Sequence, residues 1–447
     1  MQGGINAFLY YWHYVAFSYL GRVFCVIDHH IHIHSVKPAV YCDSTIQPAA
    51  DTTPAHTRQT SYVLRNKSRG SVILNILFIT SNNTGAGHRS ITEAVSTQIK
   101  RLSPDADIHI LDGFAEGNAL ARASGRIYNT LAVYFPFVWE LIYSYCDYAY
   151  KLVNKFIIIC TKDCIMRAVD NAKPDIIISV HASFVGSVLS MLEKRKMDIP
   201  LVTIIADLDN VTSLWSDDRV KAIVCPTDES KRKMALTGMP PEKLFIFGFP
   251  LREQFTEPGV SDTSTAIQCL HYKSDKPLAL VVSGSQGSKR SAKIIHKLLA
   301  ADCCKLCVVT GSNKKLRKTL ETRYKSELGI RLNVIGFTKE LDKYMRAADF
   351  LIARASPNVL MEAVCLGKPV ITTDAFYGQE KKNPAFIQNH KLGVYCKEID
   401  RLPDVINQLI ADDSAGLKEI TRNQSVFYKP DSTRRLAKFA LQCAGRK

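Results

Sequence analysis

From Ser71 onward the chain repeats one unit: a short run of β-branched and aliphatic residues, then a stretch with helical spacing of apolar positions. Such alternation builds parallel sheets, because parallel neighbours need a long crossover and a helix supplies it. In the first half the expected strands are Val72–Ile79, Asp107–Leu111, Asp175–Val180, Leu201–Ala206, Ala222–Cys225 and Leu244–Phe247. The pattern restarts after Pro277 with Leu278–Ser283, Leu306–Thr310, Arg331–Ile335, Phe350–Ala353 and Pro369–Thr373. Between the halves, Gln254–Lys276 is polar and aperiodic. The expected organisation is a separate segment over residues 1–70, a first α/β domain over 71–253, a linker over 254–276 and a second α/β domain over 277–447. A last helix (TRRLAKFALQCA) is expected behind a cap at Pro430-Asp431-Ser432. Two open sheets in tandem turn two sets of strand C-termini toward one cleft. Ligands bind outside such ends, where helix N-termini point positive charge at phosphates. A nucleotide-type ligand between the domains is the expectation.

Charge narrows the partners. Lys plus Arg number 58 against 42 for Asp plus Glu, a formal excess of +16 over 447 residues. An anionic partner follows: nucleic acid, a nucleoside diphosphate or an acidic bilayer face. Zinc-finger spacing and basic runs interleaved with aromatics are absent from the sequence, which argues against nucleic acid. The 13 cysteines are scattered, and the one tight group, Cys303, Cys304 and Cys307, falls in a strand-like run without further ligands at zinc spacing. Reduced core cysteines are expected.

Residues 5–27 are nearly all apolar, interrupted by His13 and Arg22, with Trp12 and several tyrosines suited to an interface. Spanning, interfacial anchoring and a non-native start of the reading frame all remain open for this stretch. A Pro/Thr/Ser/His tract to Gly70 reads as a linker; in it His29, His30, His32 and His34 fit a disordered tail better than a metal site.

Three strand-to-helix loops carry candidate chemistry. The first is Thr80-Ser81-Asn82-Asn83-Thr84-Gly85-Ala86-Gly87-His88-Arg89, whose small residues let another molecule approach the backbone. His88 falls on the first helical turn, where a neutral imidazole can accept a proton from a hydroxyl and the helix dipole disfavours its charged form. A His that only caps the helix is the alternative. The second loop, Ser283-Gly284-Ser285-Gln286-Gly287-Ser288, suits a diphosphate or an incoming substrate, although tight turns use the same residues. The third runs Arg354-Ala355-Ser356-Pro357-Asn358-Val359 into a helix. Pro357 suits the first turn, where its missing N–H does no harm, and the free N–H groups there can hold phosphate oxygens. Glu362, about a turn further, is placed to accept from ribose hydroxyls. Beyond the next strand, Gln379 and Glu380 set an amide beside a carboxylate, the usual grip on adjacent sugar hydroxyls, with a solvated charged loop as the alternative.

Taken in order, TGAGHR (Thr84–Arg89), GFPLR (Gly248–Arg252), GSQGS (Gly284–Ser288), GF (Gly336-Phe337) and GQEKKN (Gly378–Asn383) resemble the motifs of the monogalactosyldiacylglycerol synthase and diacylglycerol glucosyltransferase family. The muramyl-pathway N-acetylglucosaminyltransferases are its relatives, and the likeness covers residues 72 to about 445. The resemblance implies the GT-B fold: two Rossmann-like domains facing a central cleft, with a C-terminal helix returning to the first. It implies a UDP-sugar donor, no cofactor or metal, and inverting transfer to a lipid hydroxyl. On it, His88 is the base, with the strand-end Asp207 positioning the acceptor or His88. Glu362 binds ribose, while Gln379, Glu380 and Asn383 hold the donor sugar. Ser283, Gly284, Ser285, Gln286 and Gly287, with Ser356, Pro357 and Asn358, hold the diphosphate, and Phe337 frames the uracil. Gly85, Gly87, Arg89, Trp215 and Arg252 complete the acceptor side.

The chain departs from that pattern in places. Val359 offers no hydroxyl to a phosphate, while Asn358 tolerates a left-handed backbone. Ala86 replaces a glycine, and Thr212 stands where relatives often have a His before Trp215. Asp207-Leu208-Asp209 spells a metal-binding D-x-D but lies in the first half, away from the donor features. Residues 120–160 interrupt the alternation with a crowd of aromatics, Tyr134 and Trp139 among them, beside Arg126, Lys151 and Lys155. This suits a segment lying in an anionic membrane surface, or a helical pair packed on the first sheet, or both. Hexosyl transfer to diacylglycerol by a protein peripheral to the cytoplasmic membrane face is the leading reading. Its alternatives are N-acetylglucosaminyl transfer to a polyprenyl acceptor, a UDP-sugar 2-epimerase, and a degenerate homologue that binds UDP or lipid.

Overall fold

In the first sheet the inner strands lie in runs of Ile, Leu and Val, because parallel strands covered on both faces leave no room for polar alternation; the edge strand at Asp107–Asp112 alternates polar and apolar residues and is partly exposed. The structure, a computed structural model, describes residues 73–82, 86–257, 276–283 and 289–445. The apolar segment 5–27, the histidines at 29–34, Gly85, the Gly284–Gly287 loop and most of the linker lie outside them. Arg69–Lys447 make one compact unit.

The first lobe runs β1 (Asn75–Thr80), α1 (Ala86–Leu102), β2 (Asp107–Asp112), α2 (Ala119–Tyr134), α3 (Pro136–Tyr148), α4 (Tyr150–Ala172) and β3 (Ile176–Ser179). It continues with α5 (Val185–Lys194), β4 (Leu201–Ile204), β5 (Ala222–Cys225), α6 (Asp228–Leu236), β6 (Leu244–Ile246) and α7 (Glu253–Thr256). The second lobe runs β7 (Leu278–Val282), α8 (Lys289–Ala301), β8 (Lys305–Val309), α9 (Lys314–Arg323), β9 (Leu332–Ile335), α10 (Leu341–Ala347) and β10 (Phe350–Ala353). It ends with α11 (Pro357–Cys365), β11 (Val370–Thr372), α12 (Asn383–Asn389), β12 (Gly393–Tyr395), α13 (Leu402–Phe427) and α14 (Ser432–Cys443).

Each sheet has six parallel strands, in the orders β2-β1-β3-β4-β5-β6 and β12-β11-β10-β7-β8-β9. The strand order reverses between β1 and β3 in one sheet and between β7 and β10 in the other. At these switch points neighbouring crossovers leave to opposite faces and open a crevice at the strand C-termini.

Three elements differ from expectation. The aromatic stretch forms three successive helices rather than a pair; Pro136 starts α3, and Lys173, left-handed at φ 41°, ends α4 just before Pro174. A sixth strand in the second sheet, β12, was not anticipated. Asp431 precedes α14 with a φ of 61° and no side-chain bond to the helix, so the expected cap is absent. The neighbouring hydroxyls instead fasten α14 to the first lobe: Ser432 Oγ donates to Phe249 O at 2.9 Å, and Thr433 Oγ1 accepts from Leu251 N at 2.9 Å.

The lobes share hydrophobic packing. The cluster around Ile76, Phe78 and Ile178 continues through Phe255, Met345, Leu351 and Leu360, and takes in Leu436 and Ala440 of α14. The linker's first residues dock on the second lobe, where Gln254 Nε2 donates to Asp342 Oδ1 at 2.9 Å.

Candidate functional site

His88 is the third residue of α1, at the first switch point. Its ring does not cap its own helix but reaches the residue just after β3, with Nδ1 2.6 Å from Val180 O. A carbonyl can only accept, so Nδ1 carries the hydrogen and Nε2 keeps its lone pair. Burial pushes the imidazole pKa down to about 4, with the Val180 bond opposing. The ring is therefore neutral across the physiological range.

A second imidazole lies beside it, unanticipated from the sequence. His181 follows β3, and its ring centroid is 4.6 Å from that of His88 at a 49° tilt. Ser183 N donates to His181 Nδ1 at 3.2 Å. Phe114 meets His181 edge-on at 5.5 Å and Phe184 lies 5.4 Å away. A single His after an apolar strand is ordinary in sequence and carries no local signal.

Gly87 brings the lobes together. A Cβ on it would lie 2.6 Å from Asn358 Oδ1 at the start of α11. The helix that carries His88 therefore abuts the helix expected to hold the diphosphate, and only a residue without a side chain fits there. Asn358 Nδ2 is buried without a partner among the described residues. Asn358 is helical rather than left-handed, so the tolerance expected of it is not used. Pro357 occupies the first turn as expected, and the Ser356 side chain makes no bond to the helix it precedes. Arg89 is exposed.

Asp207 accepts from Trp215 Nε1 at 3.0 Å. Burial raises its carboxyl pKa to about 7; Trp215 opposes this, and the negative charge of Glu380 in the other lobe adds to it. The loop Gly378–Asn383 meets the first lobe closely. Asn210 Nδ2 donates to Gly378 O at 2.6 Å, while Tyr143 Oη donates to Asn210 O at 2.9 Å. Gly378 has a φ of 79°, and a Cβ there would sit 3.0 Å from Trp139 Nε1. Lys381 pairs with Glu140, and Lys382 lies 3.5 Å from Asp209.

The expected donor residues fall into two groups. Glu380 is buried and committed to its own lobe: Oε2 accepts from Phe376 N at 2.9 Å and lies 2.9 Å from Arg354 Nε. Arg354 also stacks on Phe376 at 3.5 Å. Burial raises the Glu380 pKa, against the pull of Arg354. Asn383 is buried and donates from Nδ2 to Ala355 O at 2.9 Å, tying the Gly378–Asn383 loop to the β10–α11 turn. These two residues shape the loop, whereas Gln379, just before Glu380, is half-buried. Glu362 is also buried, with its pKa raised to about 7 by desolvation against the neighbouring Arg252. Arg252 Nη2, from the segment after β6, lies 3.4 Å from Glu362 Oε1. Ser283 Oγ donates to Ser291 Oγ at 2.8 Å, and Phe337, beyond β9, is 74% exposed.

The aromatic helices present an apolar stripe. Phe135, Phe137, Leu141, Tyr145 and Tyr148 are exposed, Tyr148 to 87%, with Trp139 and Tyr143 on the face of α3 turned to Gly378. Tyr134 is the last residue of α2. Among the described residues no helix is long and apolar enough to cross a membrane, and no group of three or more His, Cys, Asp or Glu is set to hold a metal.

Residues 88–251 match the family model for monogalactosyldiacylglycerol (MGDG) synthase, and residues 278–436 match that for the glycosyltransferase family 28 C-terminal domain. The chain is 25% identical over 376 residues to the chloroplastic monogalactosyldiacylglycerol synthase of Spinacia oleracea, covering 80% of this chain and 70% of that one. It is 26% identical over 380 residues to a processive diacylglycerol beta-glucosyltransferase of Staphylococcus saprophyticus, covering 82% and 92%. In fold it is similar to the crystal structure of Acinetobacter baumannii MurG, with a TM-score of 0.53 at 14% identity over 82% of this chain and 99% of that one.

Proposed function

Because the chain belongs to the GT-B family of monogalactosyldiacylglycerol synthases and diacylglycerol glucosyltransferases, we propose that it moves a hexosyl group from a UDP-sugar to diacylglycerol, with inversion, at a membrane surface. The observation that carries this reading is the pairing of His88, its Nε2 lone pair uncommitted, with the α11 N-terminus one residue away across the Gly87–Asn358 contact.

The chemistry follows from those two walls. As the glycerol oxygen attacks the anomeric carbon, its proton passes to His88 Nε2, and the carbon–oxygen bond to the diphosphate breaks with its electron pair leaving on UDP. A single back-side attack inverts the centre. An imidazole of such low basicity holds a proton poorly, so proton transfer and bond formation must run together. The charge on the leaving diphosphate meets the free N–H groups of α11 and the buried amide of Asn358, donors preorganised at the head of one helix. Asp207, held by Trp215, positions the acceptor edge. Glu362 faces the ribose with Arg252 behind it, and Gln379 offers its amide to the sugar.

The lipid side lies against the same loop. The stripe of α3 fits an interface, and the +16 charge draws it to anionic lipid, at roughly 1 kcal/mol per basic residue near the surface. The test is to incubate purified protein with labelled UDP-glucose, UDP-galactose and UDP-N-acetylglucosamine over liposomes containing diacylglycerol and a polyprenyl-linked sugar. Hexosyl-diacylglycerol is the expected product. Label on the polyprenyl lipid alone, epimerised free sugar, or no turnover of any donor would overturn the reading.

A further inference from the structure

Two imidazoles at one switch point are locked in opposite tautomers. In His88 the Val180 carbonyl claims the Nδ1 hydrogen, leaving a lone pair on Nε2. In His181 the Ser183 N–H claims the Nδ1 lone pair, so the neutral ring carries its hydrogen on Nε2. A neutral His181 therefore has no lone pair left with which to act as a base; it is a donor. Ring lies against ring at 4.6 Å, and Phe114 and Phe184 close the apolar side. Burial and the neighbouring His88 both hold the His181 pKa well below its ordinary value, so the donor state persists.

We propose that His181 is a specificity-determining contact for the acceptor, donating its Nε2–H to an ester oxygen on the carbon next to the reacting hydroxyl. A ring that accepts and a ring that donates, their centroids 4.6 Å apart, match a hydroxyl flanked by an ester, which is the polar end of a 1,2-diacylglycerol. A simple long-chain alcohol satisfies His88 alone and leaves a half-buried N–H without its partner, an arrangement that penalises the wrong substrate more than it rewards the right one. This rests on the diacylglycerol reading above.

The experiment compares kcat/KM for 1,2-dioleoylglycerol and oleyl alcohol in the same mixed micelles, with UDP affinity measured on every protein. His181→Phe keeps a ring and removes the donor. The ratio of the two kcat/KM values should fall about three- to tenfold, the worth of one neutral hydrogen bond. His181→Gln, which carries an amide N–H to the same reach, should restore most of the ratio. An unchanged ratio in His181→Phe, or an equal fall for both acceptors, overturns the proposal. Should His181→Phe lose UDP affinity, the glutamine variant decides alone: a retained ratio supports the contact, and a lost one overturns it. Wild-type protein that glycosylates neither acceptor removes the transferase reading itself, a result recognisable without any variant.

Discussion

Gly87→Ala tests whether the two lobes close on each other at the helix that carries His88. The added methyl would lie 2.6 Å from Asn358 Oδ1 and 3.6 Å from its Cγ, nearer than a carbon and an oxygen tolerate. Gly87 lies within helix α1 and has no positive φ, so alanine suits its backbone and should raise helix stability by up to about 1 kcal/mol. The clash therefore acts on the cleft and not on the fold. Overpacking costs about 1–3 kcal/mol, and the end of an asparagine side chain can swing aside, so the lower part of that range applies. A loss of about 1–2 kcal/mol lowers kcat/KM for the donor by about 5- to 30-fold. Thermal unfolding should move little or rise. The assay is a double-mutant cycle with Asn358→Ala, which removes the opposing atom, so that Gly87→Ala should then cost far less. Full activity in Gly87→Ala, or the same fractional loss in both backgrounds, would refute the close approach.

Other consequences can be read from the same geometry. Asp207 has a folded pKa near 7 against 3.8 for the free side chain, so the folded state binds the extra proton and its stability falls as pH rises from about 4 through 7. Asp207→Asn can still accept from Trp215 and removes that dependence; its melting temperature relative to wild type should rise between pH 4.5 and 8.5, and a relative fall would contradict the assignment. Lys381→Glu sets like charges against Glu140 across the lobes and should raise the donor KM up to about fivefold, from the roughly 0.2–1 kcal/mol of an exposed pair, with recovery in the Glu140→Lys double variant. Replacing Phe137, Leu141 and Tyr148 together by Ser should release the protein from anionic liposomes in a sedimentation assay while leaving UDP affinity intact.

Legibility from sequence followed the range of the interactions. Buried parallel strands announce themselves as β-branched runs, so eleven of the strands were placed to within about three residues; β12, only Gly393–Tyr395, is too short and too close to a glycine to stand out. His88, Ser356 and Pro357 were legible because a strand-to-helix turn is a local object. Glu380 and Asn383 read from the sequence as donor-sugar residues, but their burial against Arg354 and Ala355 depends on partners 26 and 28 residues away. His181 and the contact of Asn210 with Gly378 required strand order and lobe closure, which no local pattern encodes. The Asp431 cap failed because tertiary bonds from Ser432 and Thr433 to the first lobe set that chain direction instead.

The account stands or falls on what His88 does. In His88→Ala, UDP affinity measured by calorimetry should stay within about threefold of wild type, since no phosphate contact is removed, while transfer of labelled hexose to diacylglycerol falls by at least about a hundredfold, the usual worth of a general base. Transfer that continues at the wild-type rate, or UDP binding that disappears with it, would contradict the central claim.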